Sequence, residues 1–339
     1  MAIRRSSPLC HPRKKAPDIA GELTALVEAE TGGDPMTERK WVRSSLRRLS
    51  GLLRGRGADL CRGTVGRLLK GLGFSLRANE KRLTGPPHPD RDRQFRHIEL
   101  TGRRFLKAGL PVISVDAKEK ELVGDFKDAG RAWRREPDPV SAHDFPQDAI
   151  CRAAPYGVHD PTHNRGYVAV GTSADTAEFA GESIASWWEE HGSKSYPGAG
   201  KILIPAEAGG SNGCRNRLWK LRLQEHLVDR LGLGLTVCRH PSGASKWSPV
   251  EHRLFGPISV NWAGKPLRCL GTLLGYIRGT VTEAGLEVAA KLLERTYATK
   301  IKVTKREMEG VRLVRHKVCP NWNYTLKRCW GSTTLHNST

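Results

Sequence analysis

The sequence predicts an α/β chain in which a helical N-terminal region precedes a mixed sheet with helices packed on it. Three observations carry this reading. Apolar residues recur at helical spacing through the first hundred positions. Short apolar runs bounded by Gly and Pro begin at Pro111 and continue to Cys238. After the first strands these runs alternate with helical stretches, the order of a mixed sheet rather than of a helical bundle.

Residues 1–17, MAIRRSSPLCHPRKKAP, are basic and Pro-containing and read as a disordered tail. Ile19, Leu23, Leu26 and Val27 place a helix over Asp18–Glu30, which Thr31-Gly-Gly-Asp-Pro breaks. Trp41, Val42, Leu46, Leu49, Leu52 and Leu53 suggest a second helix, ending in Arg54-Gly-Arg-Gly. In Cys61–Leu76, Thr64 reads as an N-cap, Val65, Leu68, Leu69 and Leu72 as a buried stripe, and Gly73 as the stop. Arg62, Arg67 and Lys70 lie off that stripe. Two helices with a Gly-bearing turn and basic outward residues fit a helix-turn-helix region over 18–85. An ordinary helical pair with a solvated basic face fits the same pattern. Residues 86–110 read as a Pro-rich linker entering a charged helix that stops near Gly109.

The core is expected over 111–262. Pro111–Asp116 is a short apolar strand, and Glu121–Phe126 is expected to return on it as a hairpin. Tyr167–Thr172 is a strand. Thr176–Glu190 is a helix with Phe179, Ile184, Trp187 and Trp188 inward. Lys201–Ala206 is a strand, Arg215–Leu231 a helix, Leu233–Cys238 a strand and Pro249–Ile258 a helix. Residues 263–339 read as a basic C-terminal region of helix and coil.

The charge points to a polyanionic partner. Of the net +21, an excess of 13 lies in residues 1–107, with 24 Lys and Arg against 11 Asp and Glu. That clustering favours nucleic acid over an anionic membrane surface. No apolar run approaches the ~18–20 residues that a membrane span needs. Eight scattered cysteines without a CxxC pair speak against a zinc ribbon or a disulfide framework and read as reduced thiols of a cytoplasmic protein. Cys238-Arg239-His240 has no matching pair at recognisable metal-site spacing.

Three carboxylates stand out by position. Asp116 ends the first strand. Glu207 ends the run Ile202–Ala206 and is followed by Ala-Gly-Gly-Ser-Asn-Gly. Glu251 opens the helix of SKWSPVEHRLF. Ligands of open α/β sheets bind beyond the carboxyl ends of strands. Acids gathered there can hold Mg²⁺, a hard cation that takes oxygen ligands. Two such ions ~3.5–4 Å apart activate a water or a 3′-hydroxyl for attack on a phosphodiester. Each acid also has an ordinary reading. Asp116 could start a polar turn and Glu207 could be solvated. With Ser248 as N-cap and Pro249 at the first helical position, Glu251 would close a capping box. Asp160 and Asp175 read as turn and N-cap residues, and His252 as a surface helix residue.

Several long stretches in order carry more than pattern. PVISVDAKEKELVGDFKDAGRAW, AAPYGVHD, SADTAEFAGESIASWWEEHG, GGSNGCRNRLWKLRLQ and SKWSPVEHRLFGPISVNWAGKPL resemble the Rhodopirellula-type DDE transposases of bacterial insertion sequences. TVGRLLKGLGFSLRANEKRLTGPPHPDRDRQF resembles their DNA-binding region, and WNYTL their C-terminal end. The resemblance spans residues 20 to 327. It implies a ribonuclease H-like core and an acidic triad with two Mg²⁺ ions, for which Mn²⁺ can substitute. It further implies cutting at element ends and transfer of the 3′-hydroxyl into target DNA. It carries the triad onto Asp116, Glu207 and Glu251. Thr64, Arg67 and Lys70 are expected to contact DNA, and Lys246 and Arg253, flanking the third acid, to position phosphate. Terminal repeats and target DNA are the implied partners, within a homodimer or larger synaptic assembly, in a bacterial cytoplasm on the nucleoid.

The middle position departs from the family. Its pattern is Ala-Asp-Gly-Gly-Gly-Ser-Asn-Gly, whereas this chain reads Ala206-Glu-Ala-Gly-Gly-Ser-Asn-Gly. Pro205 also stands where the family favours Thr. The longer acid implies a weakened enzyme. A catalytically inactive end-binding repressor and a plain metal-dependent nuclease are the alternatives.

Overall fold

The computed structural model describes residues 18–328 except 30, 34–39, 43, 77–87, 133, 208–212, 214–215 and 242–246. The chain divides into two units, Met1–Leu83 and Thr84–Thr339.

The first unit holds α1 (Ile19–Ala29), β1 (Thr31–Gly33), β2 (Lys40–Val42), α2 (Leu46–Gly55) and α3 (Arg62–Gly71). Leu23, Leu26, Val27, Leu49, Leu53, Leu60, Val65 and Leu69 form one buried cluster. The second helix begins later than its apolar spacing predicts. Trp41 and Val42 lie instead in β2, antiparallel to β1, in keeping with the strand preference of aromatic and β-branched residues. Ser45 then starts α2, its hydroxyl accepting from Arg48 N–H at 3.2 Å. Cys61, not Thr64, stands at the N-cap of α3, in extended backbone. Thr64 sits inside the first turn because Cys61 O already accepts from the N–H groups of Thr64 and Val65. The turn between the helices is tied down by Ser50, whose buried hydroxyl donates to Leu60 O at 2.6 Å. Gly73 has φ +84°, the left-handed stop its position called for.

The second unit opens with α4 (Arg91–Lys107) and then builds its sheet. The strands are β3 (Ser114–Ala117), β4 (Glu121–Val123), β5 (Cys151–Asp160), β6 (Arg165–Gly171), β7 (Lys201–Ala206), β8 (Gly234–Arg239), β9 (Glu287–Leu293), β10 (Leu313–Arg315) and β11 (Asn323–Leu326). Their order is β10-β11-β8-β7-β3-β5-β6-β9, with β4 paired to β5. Strands β3, β5 and β6 are consecutively antiparallel, and β7 and β8 run parallel to β3. The five central strands thus have the order and directions of a ribonuclease H-like core, flanked by further strands on both edges.

Two expectations change here, and one strand is added to them. Glu121–Val123 does not return on the first strand; both it and β3 pair with β5, leaving β3 free to bond β7 on its other side. Strand β5 itself carries Pro155 and Gly157, residues that argue against a central strand. The C-terminal region is not only helix and coil. It gives β9 to one edge, parallel to β6, and β10 and β11 to the other.

Helices cover both faces. On one face α5 (Ala177–Trp187), which runs on through a wide turn at Trp188–Gly192 into α6 (Ser193–Ser195), packs with α7 (Arg217–Leu223). Phe179, Ile184, Trp187, Trp188 and Trp219 are buried there against Val115, Ile204 and Val237. On the other face Val250, Leu254, Phe255, α8 (Gly256–Trp262) and α9 (Leu270–Arg278) enclose Val168 and Val170. Helix α10 (Lys305–Glu309) follows β9 and starts in a full capping box between Thr304 and Glu307. Among the described residues no helix is long and apolar enough to cross a membrane.

Candidate active site

Strand register brings two of the acids together. Val115 of β3 lies opposite Ala206 of β7 in parallel pairing. Asp116 and Glu207, one residue further on each chain, therefore stand side by side where the strands give out. Asp116 faces the same side of the sheet as Ser114, by the two-residue alternation of a strand. On its other flank it pairs with Gly157 of β5.

The third acid arrives on a helix seated on that face. Val250 N–H donates to Ser114 Oγ at 3.3 Å, which pins the residue before Glu251 to the strand of Asp116. Glu251–Phe255 then forms a wide-turned helical segment leading into α8. Its Leu254 and Phe255 rest on glycines. A Cβ at Gly157 would lie 2.7 Å from the Phe255 ring, and one at Gly166 only 2.3 Å from Leu254 Cδ1. Real Cβ atoms do not approach so closely, so the missing side chains admit the helix. Ser248, the alternative capping partner of Glu251, meets the helix among the described residues through its carbonyl, 3.5 Å from His252 N.

The electrostatics register the gathering of like charge. Burial pushes the Asp116 carboxyl up to about 7; the Ala117 N–H, donated to Asp116 Oδ1 at 2.8 Å, opposes this, and the charges of Glu207, Glu251 and Asp175 add to it. Glu207 is raised as well, by burial first and then by Glu251. Glu207 Oε1 is buried and has no hydrogen-bond partner among the described residues. A buried, partnerless carboxylate oxygen among like charges is costly unless a cation meets it. The donor set is all-oxygen and so suits Mg²⁺ or Mn²⁺. Among the described residues the three acids are not gathered closely enough for one oxygen from each to lie within 4.8 Å of the others.

Two neighbours were not singled out by sequence. Asp175 is not the cap of α5; Thr176 is, accepting Phe179 N–H at 3.2 Å, while Asp175 adds its charge to the Asp116 environment. Arg239, fully buried at the end of β8, donates from its guanidinium to Glu207 O at 2.6 Å and fixes the backbone of the middle acid. An Arg inside a CRH tripeptide gives no sign of this. Its signal was positional, since β8 runs beside β7 with Arg239 opposite Ala206.

The residues expected to meet DNA are divided between the two units. Arg67 and Lys70 are exposed on α3 in the first unit, and Thr64 is half-buried there, with Arg67 donating to its hydroxyl at 3.2 Å. Arg253 is exposed on the helix of the third acid. Lys246 lies outside the described residues, as do Ala208 and most of the glycine-rich turn.

The sequence matches the family described as "Rhodopirellula transposase DDE domain" over residues 22–328. No protein of curated function matches it. Solved structures similar to it include "Mos1 transposase paired-end complex with left transposon end", at 12% identity and a TM-score of 0.41, covering 80% of this chain and 73% of that one. "Crystal structure of the Mos1 Strand Transfer Complex" is similar at 11% identity and a TM-score of 0.41, with 80% and 72% covered.

Proposed function

The chain belongs to the Rhodopirellula-type DDE transposase family, whose members are metal-dependent polynucleotidyl transferases, and from that premise we propose that Asp116, Glu207 and Glu251 are its catalytic triad. It binds the terminal repeats of an insertion sequence, cuts the element ends and joins the freed 3′-hydroxyl to target DNA. The observation that carries the reading is the convergence of three acids from β3, β7 and the glycine-seated helix, with one buried Glu207 oxygen lacking a hydrogen-bond partner among the described residues.

The three carboxylates would hold two Mg²⁺ ions, with Mn²⁺ able to replace them. The ions would supply activation of the attacking oxygen and charge neutralisation at the leaving oxygen. The chain's own residues do the positioning. The charges of Glu207 and Glu251 both act on Asp116. Arg239 and Ser114 hold the backbones on which Glu207 and Glu251 stand. Arg253, and Lys246 by sequence proximity, supply positive charge for the phosphate backbone. On α3, Arg67 and Lys70 present the basic face for the terminal repeat. Thr64 is a weaker candidate, since its hydroxyl is engaged by Arg67. Synapsis of two ends requires a dimer or larger assembly.

Glu207 weakens the chemistry. It is one methylene longer than the Asp of the family, so its carboxylate stands roughly 1–1.5 Å further out, and Mg²⁺ demands near-ideal octahedral geometry. A misplacement of ~1 Å costs on the order of a hundredfold in rate. The test is cleavage of a labelled oligonucleotide carrying the element's terminal repeat, with Mg²⁺ and with Mn²⁺. Glu207→Asp should cut about ten- to a hundredfold faster than the natural chain in Mg²⁺, with a smaller gain in Mn²⁺. Equal rates would refute the geometric argument. Tight end binding with no cutting by any version would favour the second reading, an end-binding repressor, which the Glu207 exchange also supports.

A further inference from the structure

Helix α4 meets the sheet through polar groups. Its buried residues are Gln94 and Thr101, and among the described residues none of its side chains joins an apolar cluster. Gln94 Nε2 donates to Arg239 O and to Asn323 Oδ1, each at 2.7 Å, and Asn323 Nδ2 donates back to Gln94 Oε1 at 2.6 Å. The strands below present their polar side. Leu235 and Val237 of β8 and Tyr324 and Leu326 of β11 point into the core on the far face. By alternation Thr236, Cys238, Asn323 and Thr325 face α4.

One turn beyond Gln94, three metal-ligating side chains meet. His97 Nε2 lies 3.1 Å from His316 Nδ1. Cys238 is fully buried, and its sulfur and one nitrogen of each imidazole lie within 4.8 Å of one another. Among the described residues no other set of three donors is gathered so closely. The three come from α4, β8 and the connection between β10 and β11, so no sequence spacing announces them.

We propose that His97, Cys238 and His316 form a site for a thiophilic divalent cation, zinc by its ligand chemistry, which ties α4 to the sheet. Two nitrogen ligands each ~2.0–2.1 Å from one ion and 3.1 Å apart subtend roughly 100°, close to tetrahedral. His316 Nε2 lies 2.9 Å from Thr325 Oγ1. With the proton on that nitrogen, the lone pair of Nδ1 faces the other two donors, the usual outer support of a metal-bound imidazole. The hard oxygen donors of the triad select Mg²⁺ or Mn²⁺; imidazole and thiolate select zinc. Loading forms a metal–sulfur bond and releases the Cys238 thiol proton to solvent, with water completing the coordination. Because loading releases that proton, uptake weakens as the pH falls.

The experiment uses the full chain without a polyhistidine tag, purified without chelator. Elemental analysis should find about one zinc per chain. Exchange with Co²⁺ should produce thiolate-to-metal charge transfer in the near ultraviolet and the visible bands of a tetrahedral ion. Cys238→Ser should abolish the charge-transfer band and weaken Co²⁺ binding on the order of a hundredfold or more, whereas Asp116→Asn should retain both. His97→Gln gives a second test should Cys238→Ser not fold. A natural chain that takes up no zinc and gives no thiolate band overturns the proposal and leaves a hydrogen-bonded imidazole pair. A thiolate band that survives Cys238→Ser overturns it equally, since the ion would then sit on another cysteine.

Discussion

Replacing the Asp116 carboxyl should stabilise the metal-free protein, and by an amount that depends on pH. The Asp116 carboxyl is pushed from 3.8 to about 7, by burial above all and by Glu207, Glu251 and Asp175. The folded state therefore holds a proton there more tightly than the unfolded chain does. At pH below both values the group is protonated in both states and costs nothing. As the pH rises through the window from about 4 to about 7, the unfolded chain ionises freely and the folded site does so at a penalty. Linkage puts that penalty at about 2 kcal/mol at pH 5 and about 4 kcal/mol at pH 8. Asp116→Asn keeps the shape and has no charge to place, so its advantage over the natural chain should grow by about 2–3 kcal/mol between those two pH values. At about 2 °C per kcal/mol for a unit of this size, the melting temperatures should diverge by about 5 °C more at pH 8 than at pH 5. Thermal unfolding without added divalent ion measures this. Addition of Mg²⁺ or Mn²⁺ should raise the natural chain's melting temperature and leave the variant's nearly unchanged. An Asp116→Asn chain that melts lower by the same margin at both pH values would refute the claim that the acids crowd one another.

Gly157→Ala should push the Phe255 ring off the sheet, costing about 1–3 kcal/mol and lowering cleavage while end binding, measured by mobility shift, is retained; Phe255→Leu in the same chain should recover part of both losses. Arg67→Ala and Lys70→Ala should each weaken end binding and reduce the slope of log affinity against log salt by about 0.9 for every phosphate that is no longer neutralised. An unchanged slope would remove α3 from the interface.

What could be read from the sequence followed the strength of local signals. Lys201–Ala206 appears in the structure with the limits its apolar run gave, because a buried parallel strand is a continuous hydrophobic stretch. The acids at strand ends were legible for the same reason, since the end of such a run locates the carboxyl edge of the sheet. Strand β5 was not, because Pro155 and Gly157 break its pattern. Gly157 is there to admit Phe255, and Pro155 spends its carbonyl on Lys118 N–H at 2.8 Å. Its place in the sheet is a tertiary fact with no local trace. Strands β10 and β11 are three and four residues long, too short for periodicity to be counted. Asp175, Arg239 and the His97, Cys238 and His316 group were hidden in the same way, each defined by strand order and not by spacing.

The middle acid separates what the backbone decides from what the side chain decides. Position 207 is held on two sides. Ala206 is paired to both Val115 and Arg239, and Arg239 donates into the carbonyl of Glu207 at 2.6 Å. Arg239 is itself fixed, since its own carbonyl accepts from the buried Gln94 amide. A backbone clamped this way cannot retreat by the length of a methylene without breaking hydrogen bonds that cost about 1–3 kcal/mol each when left unmet. The extra length of Glu207 must then be absorbed by the side chain, in a site where its Oε1 lacks a hydrogen-bond partner among the described residues. It follows that Glu207→Asp alone should recover most of the cleavage rate of the Glu207→Asp, Ala208→Gly double variant, and that Ala208→Gly alone should recover little. Were Ala208→Gly alone to restore cutting, the defect would lie in the turn beyond the clamp, and the geometric account of Glu207 would fail.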